Sequence, residues 1–505
     1  MKLVRPNSIP LIDDAWIKIR GITEDRLIRM AGDAIAEEIL SLPVKGEVLV
    51  LAGGGNNGAD GYAAALALHA HGIKVSVVDV FGKGQRSEGG RAVLAEYRDT
   101  VGDARGIDVL NTESGAAVIV EAVMGSGAVG VLSERAREVC AWLERQRGYK
   151  LAVDVPLGVD ADFGEVTEGA LHADATLVLS LPKRGLYSYP AREYCGRLAY
   201  ADLGIDATAF ADCFAGETVD REFAKAYLPH RAQNSHKGSF GRLHVFAGSR
   251  KYRGAAFLAA EGALRMGVGL LTLTTEEAVI QTVGRRLPEL LFDETAPIAS
   301  WTCEEMTRKC DACDTATAVL VGPGAGVSEA LYTFLSMLVQ RKGAPLLLDA
   351  DALGAIAAYA PDVDAFFASA KRPLALTPHP LEFGRLIGKT AEEVQRSRMR
   401  LCMEYAERWG VSLLLKGAGT LVCDKERLYI NTTGSSALAK GGSGDVLSGA
   451  VGALLAAGVM PTEALALGAY LHGAAGESLA SELSEYGVLP SELPRRMAKL
   501  LRQIK

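Results

Sequence analysis

The sequence predicts an α/β protein of two domains, the first built on a doubly wound parallel sheet and the second a separate α/β domain. Three observations carry this expectation. Short apolar runs alternate with helix-period segments along the 505-residue chain, the pattern of repeated strand-helix-strand units. Nearly every run ends in glycines or a carboxylate, as at Ala52-Gly53-Gly54-Gly55 and Val153-Asp154, and such sheets present ligands at these strand ends. The chain also exceeds the roughly 250–300 residues at which one core stops growing. Its strand pattern lapses between Ile205 and Leu228, which reads as a connector, and then starts afresh. Domains at 1–213 and 225–505 follow.

Composition narrows the function. Apolar residues are 49% of the chain, ample for two cores. The 54 basic and 61 acidic residues leave a charge of −7, so there is no electrostatic case for nucleic acid or an anionic membrane. Met1–Arg20 lacks an apolar signal core and carries Asp13 and Asp14. The charge-free stretch Val446–Thr462 is broken by Ser448, glycines and Pro461, which predicts a buried helix and not a span. A cytoplasmic protein is expected. The eight cysteines are scattered, and Cys310-x-x-Cys313 stands before an apolar run with no second pair, so neither zinc nor redox chemistry is expected.

Residues 10–40 read as helical, with Ile12, Trp16, Ile19, Leu27, Ala31 and Ile35 at helical spacing. Glu47–Ala52 is a buried strand running into Gly53-Gly54-Gly55-Asn56-Asn57-Gly58-Ala59-Asp60-Gly61; a helix, Tyr62–His71, and a strand, Lys74–Val80, follow. This loop is not the bare G-x-G-x-x-G fingerprint, because Asn56, Asn57 and Asp60 add side-chain oxygens. Those suit a monovalent cation or a ribose hydroxyl, while glycine N–H groups suit phosphate. Ala116–Val120 leads into Glu121-Ala122-Val123-Met124-Gly125-Ser126-Gly127, and Lys150–Val153 into Asp154-Val155-Pro156-Leu157-Gly158. Asp154, at a strand's carboxyl end, is an acid/base candidate, with loop capping as the alternative. Ala175–Leu181 and Gly196–Ala201 continue the sheet, the former ending at Pro182-Lys183.

These motifs resemble the NAD(P)H-hydrate epimerase family, the YjeF N-terminal domain, over about residues 10–210. The family pattern has G-x-G-N-N-G-G-D-G, D-A-x-F-G-T-G and V-D-x-P-S-G in that order. The resemblance implies that Asn56, Asn57, Gly58, Ala59 and Asp60 contact the hydrated dinucleotide. It implies the same for Gly125, Ser126, Gly127, Ala128, Val129, Gly130 and Val131, with Asp154 acting at the hydrated ring. It also implies a potassium ion held by Asn57, by Glu121 in place of the family's Asp, and by the backbone carbonyl of Leu157 in place of its Ser. Ala59 replaces a glycine.

In the second half, strands are expected at Arg242–Ala247, Leu270–Thr274, Ala318–Val321, Leu346–Leu348, Leu374–Leu376 and Ser412–Leu415. They end in Gly248-Ser249, Gly322-Pro323-Gly324-Ala325-Gly326, Asp349-Ala350-Asp351, Thr377-Pro378-His379-Pro380-Leu381-Glu382 and Lys416-Gly417-Ala418-Gly419-Thr420. All feed one crevice with Gly441-Gly442-Ser443-Gly444-Asp445. Three glycines and a helix start offer converging N–H groups to a phosphate. Asp445 beside them can take a proton from a hydroxyl attacking phosphorus; its alternative is a helix cap. Lys416 with Gly417, Ala418, Gly419 and Thr420 suits nucleotide phosphates, and magnesium would arrive with them. His379 could bond a substrate carboxamide or phosphate, or be structural.

This half resembles the ADP/ATP-dependent NAD(P)H-hydrate dehydratase family of ribokinase-like fold, over about residues 225–500. The resemblance rests on H-K-G-x-x-G, G-P-G-x-G, T-P-H-P, L-K-G-A-x-T and G-G-[ST]-G-D. It implies that Ala255, Gly326, His379 and Asp445 face the hydrate, and that Lys416–Thr420 and Gly444 hold the nucleotide. Lys440 and Leu381 replace the family's Thr and Gly. Together the halves imply nicotinamide nucleotide repair, with epimerisation of the R and S hydrates of NADH and NADPH and dehydration of the S form using ADP or ATP. A homo-oligomer is implied as well. The rival expectation is a ribokinase-superfamily small-molecule kinase with a non-catalytic first module.

Overall fold

A computed structural model of the chain describes residues 1–111, 115–127 and 132–504. The chain forms two compact units, Lys2–Gly216, and Glu217–Lys505 together with Met1.

In the first unit, a parallel sheet runs Arg105–Gly106, Val75–Asp79, Val48–Ala52, Val118–Ala122, Tyr149–Val153, Ala175–Val178, Arg197–Tyr200. The chain works outward from Val48–Ala52 and then crosses back to place Val118–Ala122 on its other side. The sheet's topological switch point therefore lies between these two strands. Both faces are covered, so the strands read as continuous apolar runs. Val48, Val50 and Ala52 enter one core with the helices Glu24–Ser41 and Asn56–Ala70, while Leu49 and Leu51 enter another with Trp142 and Leu143.

The expected helix at Tyr62 begins earlier, at Asn56, and takes in most of the glycine-rich stretch. Close approach explains the glycines there. A Cβ on Gly58 would lie 1.9 Å from the Gly53 carbonyl oxygen, so any side chain would push the helix start off the strand end. The helical stretch 10–40 is two helices, Ile9–Arg20 and Glu24–Ser41, separated at Gly21 in the left-handed region (φ 62°).

In the second unit, Leu291–Glu294, Leu270–Thr275, Arg242–Phe246, Ala318–Val321, Leu346–Leu348, Leu374–Leu376 and Ser412–Leu415 pair in parallel, in that spatial order. Leu421–Cys423 and Leu428–Asn431 extend the sheet antiparallel, and Phe214–Val219 joins beyond through the register Tyr429↔Glu217 to Asn431↔Val219. The stretch expected to be a strandless connector thus contains a strand and a helix, Arg221–Tyr227. Its strand mixes polar and small residues without alternation, which hid it. The apolar stretch Val446–Thr462 is likewise two pieces. Ser443–Ala456 ends before Gly458 (φ 88°), and Pro461 opens the helix Pro461–Gly487.

Ser443–Ala456 is pressed onto Arg253–Arg265 backbone to backbone. A Cβ on Gly449 would lie 1.9 Å from the Ala259 carbonyl oxygen, and one on Gly262 2.6 Å from that of Val446. These contacts seat the first turn of Ser443–Ala456, and Asp445 with it.

Candidate functional sites

The first site is a cavity of about 940 Å³ at the switch point of the first unit's sheet. Asn56, Asn57, Asp60, Gly125, Ser126, Gly127 and Asp154 all line it. Gly58 and Ala59 do not. Gly58 packs on Gly53, and Ala59 is fully buried in the core. They share the helix start with their neighbours but face the sheet. Ala128, Val129, Gly130 and Val131 lie outside the described residues.

Asp154 leaves its strand in the left-handed region (φ 70°), a strained conformation for a residue with a side chain. Three donors hold its carboxylate: the Ser126 N–H at 3.2 Å, the Leu179 N–H at 3.2 Å, and the ammonium of Lys183. Lys183 is fully buried and also donates to the Leu179 carbonyl at 2.6 Å. The sequence put Lys183 at a strand end but gave no sign that it folds inward onto Asp154. Two of the other carboxyls lining the cavity are shifted. Burial, with repulsion from Asp154 and Asp13, pushes Asp60 well above the ordinary carboxylate range. Burial lifts Asp13 to about 6 against the pull of Lys183 and of the Ser180 hydroxyl, which donates to it at 3.3 Å.

The residues expected at a potassium ion are placed as follows. Asn57 is buried, and neither its carboxamide oxygen nor its nitrogen has a partner. Glu121 is fully buried and accepts from the Val123 N–H at 2.9 Å and the Leu157 N–H at 3.1 Å. Burial pushes its carboxyl up to about 7 against the pull of these amides. The Leu157 side chain is in the core, and its carbonyl accepts from the Leu171 N–H at 2.9 Å. The Leu157 carbonyl also accepts from the Cys140 thiol at 3.9 Å, whereas the Asn57 oxygen is unpartnered and Glu121 has, among the described residues, no cationic partner. The donor chemistry therefore fits a monovalent ion.

The second site lies at the carboxyl ends of the second sheet. Its centre is Lys416, whose ammonium donates to Asp349 at 2.9 Å and stands 3.7 Å from Glu382. Burial opposes its charge, but Asp349, Glu382 and Asp445 outweigh it and hold the pKa above the ordinary lysine value. Ser448, one turn along the helix from Gly444, donates to the other Asp349 oxygen. Gly444 stands against Lys416, since a Cβ there would lie 3.5 Å from its Nζ. Gly442 caps the helix with φ 102°, and Asp445 is its third residue and not its cap. Burial and Asp349 lift Asp445 to about 7, with Asp351 and Glu382 adding to the rise and Lys416 opposing it. The Ser443 hydroxyl beneath the turn is buried and without a partner.

Gly326 donates its N–H to Asp351 at 2.8 Å, tying two strand ends together. Ala255, in the first turn of its helix, packs against Gly324. Gly417 (φ 138°) and Gly419 (φ 57°) shape the loop after Lys416, closed by Thr420 donating to the Gly417 carbonyl at 2.8 Å; Ala418 is exposed within it. His379 caps the helix Pro380–Ile387. Its Nδ1 accepts from the Glu382 N–H at 3.2 Å, its N–H donates to Glu382 at 2.8 Å, and its Nε2 is 3.3 Å from Glu382 Oε1. Burial and Lys416 push its pKa down, so the ring is neutral, half-exposed and turned to Glu382.

Asp349 and Glu382 were visible only as loop residues in the sequence. The available signals were D-A-D at a strand end and Glu three residues after a capping position. Among the described residues no cluster of three His, Cys, Asp or Glu side chains could hold a metal by itself. Magnesium needs only one or two carboxylates when phosphates complete its shell, and Asp349 and Glu382 beside Lys416 fit that requirement. None of the eight cysteines is in a disulfide, and Cys310 and Cys313 are buried and pushed up to about 11 and 12 by burial. Among the described residues no helix is long and apolar enough to cross a membrane.

Comparison with known proteins covers both units. Residues 243–499 match the NAD(P)H-hydrate dehydratase family, and residues 24–185 match the YjeF-related protein N-terminus. The chain is 32% identical to the bifunctional NAD(P)H-hydrate repair enzyme Nnr of Thermofilum pendens, covering 100% of this chain and 97% of that protein. It is 34% identical to the Nnr enzyme of Coxiella burnetii, covering 94% of each. Among solved structures, the ADP/ATP-dependent NAD(P)H-hydrate dehydratase of Bacillus subtilis, co-crystallised with ATP and Mg2+, superposes with a TM-score of 0.51 at 31% identity, over 57% of this chain and 99% of its own. A ribokinase-like superfamily protein of Enterococcus faecalis, 24% identical with a TM-score of 0.50 over 57% of this chain and 96% of its own, shares the fold.

Proposed function

The chain belongs to the bifunctional NAD(P)H-hydrate repair enzymes, and on that footing we infer how its residues divide the work. The enzyme interconverts the R and S hydrates of NADH and NADPH, and dehydrates the S form with ADP or ATP as co-substrate. We assign epimerisation to residues 1–213 and dehydration to residues 225–505.

One observation carries the dehydratase assignment: Asp445 stands in the first turn of Ser443–Ala456, beside Lys416, with its carboxyl lifted to about 7. A base poised near neutral pH, next to helix-start amides and a partly buried ammonium, suits phosphoryl transfer. Asp445 takes the proton of the C6 hydroxyl as its oxygen bonds to the terminal phosphorus of the nucleotide. Lys416 and the amides of Gly441, Gly442, Ser443 and Gly444 stabilise the transferring group, and the Lys416–Thr420 loop holds the remaining phosphates. Departure of phosphate from C6, with loss of a C5 proton, restores the dihydronicotinamide. Magnesium, held by the nucleotide with Asp349 and Glu382, would neutralise phosphate charge. His379 shapes this pocket through Glu382, while Gly326 and Ala255 form its wall.

In the first site, Asp154 is held in place by Lys183 and two amides, where it faces the ring. Potassium at Asn57, Glu121 and the Leu157 carbonyl would balance the buried Glu121. Epimerisation should then fall when potassium is replaced by a larger quaternary ammonium ion, and an unchanged rate would remove the ion. A cytoplasmic setting suits eight cysteines with no disulfide among them, and a homo-oligomer follows from the family resemblance. Fractionation and sedimentation velocity test these.

Product balance tests the whole reading. Repair should yield one orthophosphate for each dihydronicotinamide formed and each nucleotide shortened by a phosphoryl group. A stable phosphorylated alcohol with no orthophosphate would instead establish the rival kinase.

A further inference from the structure

The carboxyls that line the first site have unequal environments; besides Glu24 they are Asp13, Asp14, Asp60 and Asp154. Asp154 has its oxygens committed to three donors, one of them on the buried Lys183, so it is fixed in position with its oxygens already engaged. Asp60 is buried, and among the described residues its carboxyl has no hydrogen-bond donor. Asp14 is exposed at the edge. Asp13 is partly buried on the helix Ile9–Arg20, lines the cavity, and carries one donor, the Ser180 hydroxyl. Ser180 itself sits in the left-handed region (φ 57°), a strained backbone held at the point that faces Asp13.

Inverting C6 of a hydrated nicotinamide needs a proton delivered to a hydroxyl on one face of the ring and one removed from water on the other. Two carboxyls whose environments separate their proton affinities suit that task. We propose that Asp13 is a catalytic carboxyl of the epimerisation, accepting a proton across the ring from Asp60; this rests on the epimerase reading of the site.

Asp60 gives its proton to the C6 hydroxyl. The C6–O bond breaks, the ring nitrogen lone pair closes N1=C6, and water leaves. A water on the other face bonds to C6, its proton passes to Asp13, and the N1=C6 pair returns to nitrogen. The product is the other epimer, with Asp60 ionised and Asp13 protonated; solvent exchange, or turnover of the opposite epimer, resets both. Asp154 faces the transient cation, and Lys183 keeps it in place. The environments agree with these roles, since burial and the repulsion of Asp154 and Asp13 favour the protonated form of Asp60, while Asp13 is lifted only to about 6.

The test follows R/S interconversion by chromatography in the full chain without nucleotide, across pH. Asp13 faces Asp14, Asp60, Asp154 and Lys183, and only its own loss should remove the acid limb. Wild type should lose kcat as pH falls through about 6. Asp13→Asn should lower kcat by roughly 100-fold or more, keep KM, and show a residual rate flat across that limb. Asp13→Glu should recover part of the rate. Ser180→Ala removes a bond that favours ionised Asp13, so its acid limb should move to higher pH with most of the plateau rate retained. An Asp13→Asn rate within a few-fold of wild type would overturn the proposal. So would an unaltered acid limb in both the Asp13→Asn and Ser180→Ala chains. A wild-type chain that dehydrates the S hydrate but never interconverts the epimers would overturn the epimerase reading itself, and the role of Asp13 with it.

Discussion

Replacing Asp445 by Asn should impair dehydration while making the second unit more stable above neutral pH. The residue's carboxyl is lifted from 3.8 to about 7, with burial the largest cause and Asp349 next. As a base it works only when ionised, so kcat/KM for the S hydrate should fall in wild type as pH drops through about 7. At pH 6 roughly a tenth of the plateau should remain. An unperturbed aspartate would give no change over that range. Asp445→Asn should lose on the order of 10²–10⁴-fold at every pH. The stability sign is the reverse. Between the unfolded and folded values the native state binds the proton more tightly, so stability falls as pH rises toward about 7. The roughly three-unit shift corresponds to on the order of 4 kcal/mol at most. Asn carries no such penalty. The unfolding transition that ADP moves upward should therefore sit several degrees higher in Asp445→Asn at pH 8, and the gap should close near pH 4. Dihydronicotinamide absorbance and scanning calorimetry provide the two readouts. A wild-type rate flat from pH 5.5 to 8, with an Asn variant within tenfold of it, would refute the reasoning.

Two further predictions concern the neighbours of the two sites. Lys416→Met leaves Asp349, Glu382 and Asp445 without their counter-charge, so it should destabilise the second unit by roughly 3–5 kcal/mol at pH 8 and by less in acid. It should also raise KM for ADP and move the acid limb of dehydration upward, as pH-dependent melting and kinetics would reveal. Leu157→Ala empties a fully packed position among Leu49, Trp142 and Leu171, at a cost of about 2–5 kcal/mol. Melting should register this in the first unit, with dehydration of the S hydrate unchanged.

Much of the fold was legible because parallel strands buried on both faces leave continuous apolar runs, and Ala318–Val321, Leu346–Leu348, Leu374–Leu376 and Ser412–Leu415 fall where those runs stand. Two outlying strands were not: Phe214–Val219 and Leu291–Glu294 carry partly exposed, mixed residues with no period to read. The glycine-rich stretch gave its ligand chemistry but not its helix, because Asn and Gly are poor helix formers overruled here by the contact of Gly58 with Gly53. Asp445, Lys416 and Asp154 could be named from their place at strand ends and a helix start. Lys183 over Asp154, Ser448 on Asp349, and Asp13 facing Ser180 could not, since each partner comes from an element distant in sequence. The Leu157 side chain is turned into the core, and its carbonyl accepts from the Leu171 N–H and the Cys140 thiol.

The central claim is that one chain repairs both hydrate epimers at the expense of a nucleotide. Its most direct test is recovery of dihydronicotinamide absorbance from a mixed-epimer hydrate with magnesium, potassium, and ADP, ATP or neither. Complete recovery in a single run, only with nucleotide, is the predicted result. Recovery that halts once the S hydrate is consumed would contradict the role given to the first unit, and no recovery with either nucleotide would contradict the account as a whole.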